Sequence, residues 1–124
     1  FERSMNMLDS SIKELRMVAH NLMPESLLKF GLDAALKDFC GDITSSGVLS
    51  VNYHSFGMDR VQINQNIQVT VYRIVQELIN NSIKHAQAKE AIVQLEIHEQ
   101  ELTVTVEDDG KGFDVALLDV SKGI

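Results

Sequence analysis

The sequence has one cysteine, one proline and few basic residues. Cys40 alone rules out a disulfide within the chain and a cysteine-based metal cluster. Eleven Lys and Arg against eighteen Asp and Glu leave a net charge of −7. A chain this acidic repels phosphate backbones and anionic lipid, so no nucleic acid partner is expected, while local basic sites for a small anion stay open. No apolar run approaches the ~18 residues of a spanning helix, and no signal peptide opens the chain. These features fit the cytosol. Phe1 stands where an initiator Met would, so a piece of a longer protein is expected. There are no internal repeats and no low-complexity tract.

What remains is ordinary for a folded domain: 124 residues, 44% of them hydrophobic and 23% charged. That is one domain's worth of chain, and the balance argues against disorder. Met5, Leu8, Ile12, Leu15, Ala19 and Leu22 recur at heptad spacing and predict an amphipathic helix, which Pro24 should end. Such a stripe suits either a core-facing helix or one strand of a dimeric bundle. A second helix is predicted near Asp33 to Ser45, with Leu32, Leu36, Phe39 and Ile43 on one face and Gly47 as its C-terminal cap. Val48 to His54 reads as a strand.

The longest helix is predicted from about Ile67 to Ala86. Its apolar arc holds Val71, Ile74, Val75, Leu78, Ile79, Ile83 and Ala86. Two strands follow, with Ala91, Val93, Leu95 and Ile97 inward on the first and Leu102, Val104 and Val106 inward on the second. His98-Glu99-Gln100 is short enough to make them a hairpin. The second strand runs into a glycine loop, Asp108-Asp109-Gly110-Lys111-Gly112-Phe113-Asp114. The order suggests a sheet with one apolar face covered by helices.

Two places can carry chemistry. Thr70, Arg73, Glu77, Asn81 and Lys84 share a polar stripe roughly 80° wide on the long helix. A solvated face would look the same. Yet Asn80-Asn81-Ser82 are mediocre helix formers in mid-helix, so something other than propensity favours them. A carboxylate, an amide oxygen and an ammonium on one stripe can hold a hydrated Mg²⁺ and polyphosphate. The glycine loop is the second place. An Asp-Asp-Gly turn explains it blandly. Alternatively, a strand-end Asp beside a glycine bend can face a pocket and accept from the exocyclic amine of adenine, where guanine would present a carbonyl oxygen instead.

Taken together and in order, Arg73-Ile74-Val75-Gln76-Glu77 through Asn81, Lys84-His85-Ala86 and Asp108-x-Gly110-x-Gly112 resemble the N box and first glycine box of bacterial sensor histidine kinases, within the GHKL ATPase superfamily. Leu22-Met23-Pro24-Glu25-Ser26-Leu27 and Gly31-Leu32-Asp33-Ala34-Ala35-Leu36 resemble the subgroup of nitrate-sensing and vancomycin-response kinases. The resemblance implies an α+β fold, a two-layer α/β sandwich of the GHKL type, C-terminally incomplete and preceded by a bundle helix. Residues 1–24 would be the second helix of the dimerisation and phosphotransfer bundle, and residues 25–124 the ATP-binding catalytic domain.

The same resemblance implies site roles. Asp108 would hold the adenine amine, while Gly110 and Gly112 shape the base pocket. Asn81 would ligate Mg²⁺, and Glu77 would orient a metal-bound water or act as a base. Lys84 would approach the phosphates and His85 would line their side, although a cation suits a helix C-terminus anyway. Gly123 would open the second glycine box, with the end of the ATP lid and the last strands and helix lying beyond the chain. The implied function is the ATP-binding kinase domain of a sensor histidine kinase, which supplies the γ-phosphoryl of ATP for histidine autophosphorylation. Its partners would be a response regulator receiver domain and a second copy of itself, in a cytoplasmic domain of a membrane-anchored sensor. No His-Asp pair occurs, so the phosphoacceptor helix is expected upstream. His20 lies in the wrong helix for that role, and His54 and His98 read as surface residues at strand ends. A degenerate GHKL regulatory module without phosphotransfer is the alternative, and a serine-directed anti-sigma kinase or an ATPase clamp is a third reading.

Overall fold

The computed structural model describes residues 25–59, 61–85, 88–110 and 112–120. The heptad helix expected before Pro24, with His20, lies outside the described residues, and so does Gly123. Three helices and four strands follow in the order α1 (Glu25–Phe30), α2 (Leu32–Ser46), β1 (Ser50–Phe56), α3 (Gln65–His85), β2 (Glu90–His98), β3 (Glu101–Asp108) and β4 (Gly112–Asp119). The strands form one sheet in sequence order. β1 runs parallel to β2, as a crossover through α3 allows, and β2–β3 and β3–β4 are antiparallel.

Strand alternation builds the core. Val51 lies opposite Ala91, Val93 opposite Val106, Leu95 opposite Val104 and Ile97 opposite Leu102. All of them are buried on the face that α2 and α3 cover. Leu36, Phe39, Ile67, Val71, Val75 and Ile79 supply the helical side of that layer. Burying each such side chain contributes about 1.5–3 kcal/mol. The Phe39 and Tyr72 rings meet edge to face, 5.9 Å between centroids, and join α2 to α3.

Polar pins fix α2 against β1. Gly47 caps α2 in the left-handed region at φ 78°, and its N–H reaches the Thr44 carbonyl. The Thr44 hydroxyl accepts from the Val51 N–H at 2.9 Å and donates to the Cys40 carbonyl. At the other end the Tyr53 hydroxyl donates to Asp33 Oδ1 at 2.7 Å. Burial, then this hydrogen bond, pushes the Tyr53 phenol well above its usual range. After β1, Gly57 turns the chain at φ 79°, where a Cβ would come within 2.8 Å of the Ile97 carbonyl oxygen.

The architecture is the expected helix-covered sheet, with four differences of detail. α1, a six-residue helix, was not anticipated. β1 lies two residues later than expected, because its parallel register runs from Ser50 opposite Glu90 to Phe56 opposite Glu96. His54 is therefore inside the strand, although exposed. The buried arc of α3 is rotated: Tyr72 and Gln76 are inside, while Ile74 and Leu78 are only half-buried. Residues 112–114, expected within the glycine loop, instead open β4, and residues 112–119 pair with β3 along its whole length. That pairing satisfies the backbone groups β3 would otherwise leave open at the sheet edge.

Candidate functional site

α3 passes across β2 and β3 so that its C-terminal half meets the end of β3. The meeting point is a hydrogen bond between residues 26 positions apart: the Ser82 hydroxyl donates to Asp108 Oδ2 at 2.6 Å. This is the length of a charge-assisted O–H···O⁻ bond. Ser82 is 4% exposed, and Asp108 is half-buried. The other oxygen of the same carboxylate, Oδ1, accepts the Gly110 N–H at 2.8 Å. The Ser82 hydroxyl and the Gly110 N–H thus orient this carboxylate at the mouth of the β3–β4 turn.

Asp109 secures the turn from the other side. Its Oδ1 accepts from the N–H groups of Lys89 and Glu90 at 2.9 and 3.3 Å, and its own N–H donates to the Glu90 carbonyl. The turn is thereby tied to the start of β2. Gly112 enters β4 at φ 112°, with nothing within 4 Å of the place a Cβ would occupy. A side chain there would meet backbone strain rather than a clash.

Glu77, Asn81 and Lys84 are all exposed, on the stripe of α3 that faces away from the core. Asn81 is the neighbour of Ser82, so the stripe lies directly beside the helix–strand contact. His85 is the last residue of α3. Gly110 is exposed in the turn. Among the described residues no group of three or more His, Cys, Asp or Glu side chains gathers as a metal cluster.

Sequence reasoning passed over Ser82 as a chemical group. The signal was its presence in a poor helix-forming run, where a buried hydroxyl needs a partner. It also missed a cleft of about 850 Å³ between α1, the start of α2 and the Met58–Gln68 segment. That cleft sits at the N-terminal end of α3 and includes Gln65 and Gln68. It shares no residue with the stripe and lies about 21 Å along the helix axis from Ser82, taking 1.5 Å per residue.

Residues 66–123 match the family described as histidine kinase-, DNA gyrase B-, and HSP90-like ATPase. The chain is 33% identical over 102 residues to the oxygen sensor histidine kinase NreB of Staphylococcus carnosus, covering 82% of this chain and 29% of NreB. It is 30% identical over 108 residues to the signal transduction histidine-protein kinase/phosphatase DegS of Brevibacillus brevis, covering 87% of this chain and 28% of DegS. It thus spans under a third of the length of these relatives. Among solved structures, the blue-light activated histidine kinase EL346 of Erythrobacter litoralis shares the fold, with a TM-score of 0.53 and 24% identity, covering 86% of this chain and 35% of that one. The family match spans α3 through the glycine turn, the segments that build the Ser82–Asp108 contact, and the chain belongs to the histidine kinase-, DNA gyrase B- and HSP90-like ATPases as an ATP-binding domain of the sensor histidine kinase type.

Proposed function

We propose that this domain binds ATP between the polar stripe of α3 and the β3–β4 turn, and presents its γ-phosphoryl to a histidine of the parent kinase. The observation that carries the reading is the oriented Asp108 carboxylate at the end of β3, beside that stripe. A carboxylate only accepts hydrogen bonds, so it suits the adenine amine and opposes the guanine carbonyl. Gly110 and Gly112 themselves add no side chain beside it. Lys84 brings positive charge toward the phosphates, and His85, the last residue of the helix, is proposed to line their side. Glu77, one helical turn before Asn81, orients the attacking group or takes its proton.

The donors on the stripe fit Mg²⁺. They are oxygen ligands, few in number and exposed, which suits an ion that keeps several waters and shares the phosphates. Asn81 would be the protein ligand, and the ion would supply charge neutralisation to the triphosphate. In the transfer, a histidine ring nitrogen attacks the γ-phosphorus, the bond from phosphorus to the β–γ bridging oxygen breaks, and ADP leaves. An aspartate of a response regulator then receives the phosphoryl group. Residues 1–24 are proposed as the bundle helix that brings two copies together, residues 25–124 as the catalytic domain, and Gly123 as the start of the second glycine box. Placement in the cytoplasm, under a membrane-anchored sensor, completes the proposal.

The test is label transfer from γ-labelled ATP in the full-length protein. Acid-labile, alkali-stable label is expected, falling by about 10²- to 10⁴-fold in Glu77→Gln. Tight ATP binding without any label would favour a regulatory module instead.

A further inference from the structure

We propose that Ser82 is a positioning residue that sets base selection by holding the Asp108 carboxylate; this rests on the reading that Asp108 accepts the adenine amine. Ser82 has one hydroxyl proton and two acceptors within reach, Asp108 Oδ2 at 2.6 Å and the Leu78 carbonyl at 3.2 Å. The shorter, charge-assisted bond takes it. Ser82 is 4% exposed, and its hydroxyl is served by partners within the protein. Alanine would be the better helix former at this place and would leave no polar atom to satisfy. The serine is thus accounted for by the bond it makes across to β3.

The effect on the ligand follows from geometry. Gly110 fixes Oδ1 through a turn that belongs to the same short segment as Asp108, so it moves with the turn. Ser82 fixes Oδ2 from a rigid helix packed on the sheet, an independent frame. With both in place the carboxylate cannot swing about its side-chain bonds. It meets an amine at full strength, and it cannot turn aside from a guanine carbonyl. Without Ser82 the carboxylate loses its tie to α3, so adenine gains less and guanine loses less.

The experiment compares ATP with purine riboside 5′-triphosphate, which lacks the 6-amino group, by calorimetric titration in the presence of Mg²⁺. The full chain is used as wild type, Ser82→Ala and Ser82→Thr. Wild type should prefer ATP. Ser82→Ala should weaken ATP by about tenfold while leaving the analogue unchanged, and should narrow the preference for ATP over GTP. Ser82→Thr keeps the hydroxyl and should keep the preference for ATP. Unchanged binding of the analogue also shows that the site is intact. An equal loss of both ligands in Ser82→Ala would mean a merely structural serine and overturn the proposal, as would an undiminished preference for ATP. If wild type itself binds ATP and the analogue equally, the Asp108–amine reading fails, and the proposal fails with it.

Discussion

Asp108 shows how one side chain acquires a role from its neighbours. An Asp in a glycine turn usually serves the turn alone, and the Gly110 N–H bond to Oδ1 is that kind of contact. The bond from Ser82 is different, because it comes from another element and freezes the group in space. Sequence order alone placed Asp108 at a strand end, by counting the alternation from Leu102 to Val106. It could not reveal that position 82 would face position 108, because contacts between distant segments are set by packing. Asn81 carries a prediction at this scale. Asn81→Asp should keep the fold, since the position is exposed, and should shift the Mg²⁺ dependence of nucleotide binding because the ligand gains charge. Titration of Mg²⁺ at fixed ATP measures it, and an unchanged curve would remove Asn81 from the site. Cys40 carries another. Burial pushes its thiol from 9.0 up to about 12, and burial with nearby acidic groups pushes Tyr72 from 10.0 up to about 12. Both groups are held neutral in the folded state, so their contribution to stability is complete below pH 9.0 and is lost as pH rises toward about 12. Urea unfolding midpoints should fall through that window, while Cys40 resists thiol reagents until the protein unfolds.

Among the elements, α3 was the most legible and also the most instructive in its errors. Its length and its exposed stripe follow from a helical period sustained over twenty-one residues. Its rotation did not, because Tyr72 is drawn inward by the Phe39 ring and Gln76 lies inside despite its polarity. The hairpin of β2 and β3 was read from strict alternation, and its tight turn has Glu99 at φ 58°. β4 was hidden for the opposite reason. Its alternation puts Asp114, Ala116 and Leu118 on one side and Val115 and Leu117 on the other, so neither face stands out as the buried one. The end of β1 tests the packing. Gly57→Ala should destabilise by about 1–3 kcal/mol, since it combines positive φ with a backbone approach. Thermal or urea unfolding measures it, and a stability equal to wild type would show that the Gly57–Ile97 approach is not tight.

At the scale of the whole molecule, the two faces of the sheet differ. One is covered by α2 and α3, and the other exposes Phe56, Ile92, Val115 and Leu117 among polar residues. The two-layer architecture could be read from the order of elements, while the exposed apolar face could not, because β4 supplies half of it. Among the described residues no helix is long and apolar enough to cross a membrane. Association is a prediction for the heptad stripe. A variant with Leu8→Glu and Leu15→Glu should sediment as a smaller species than wild type, and identical monomeric behaviour of both would count against a dimer seam. The central claim is that the molecule holds ATP by its adenine through Asp108. Calorimetric titration of ATP and GTP into wild type and Asp108→Ala tests it most directly, with folding checked by circular dichroism. The account predicts that wild type prefers ATP and that the variant loses roughly 10- to 150-fold in ATP affinity, the equivalent of about 1.5–3 kcal/mol for a hydrogen bond to a charged group. ATP affinity equal to wild type in the folded variant would contradict it.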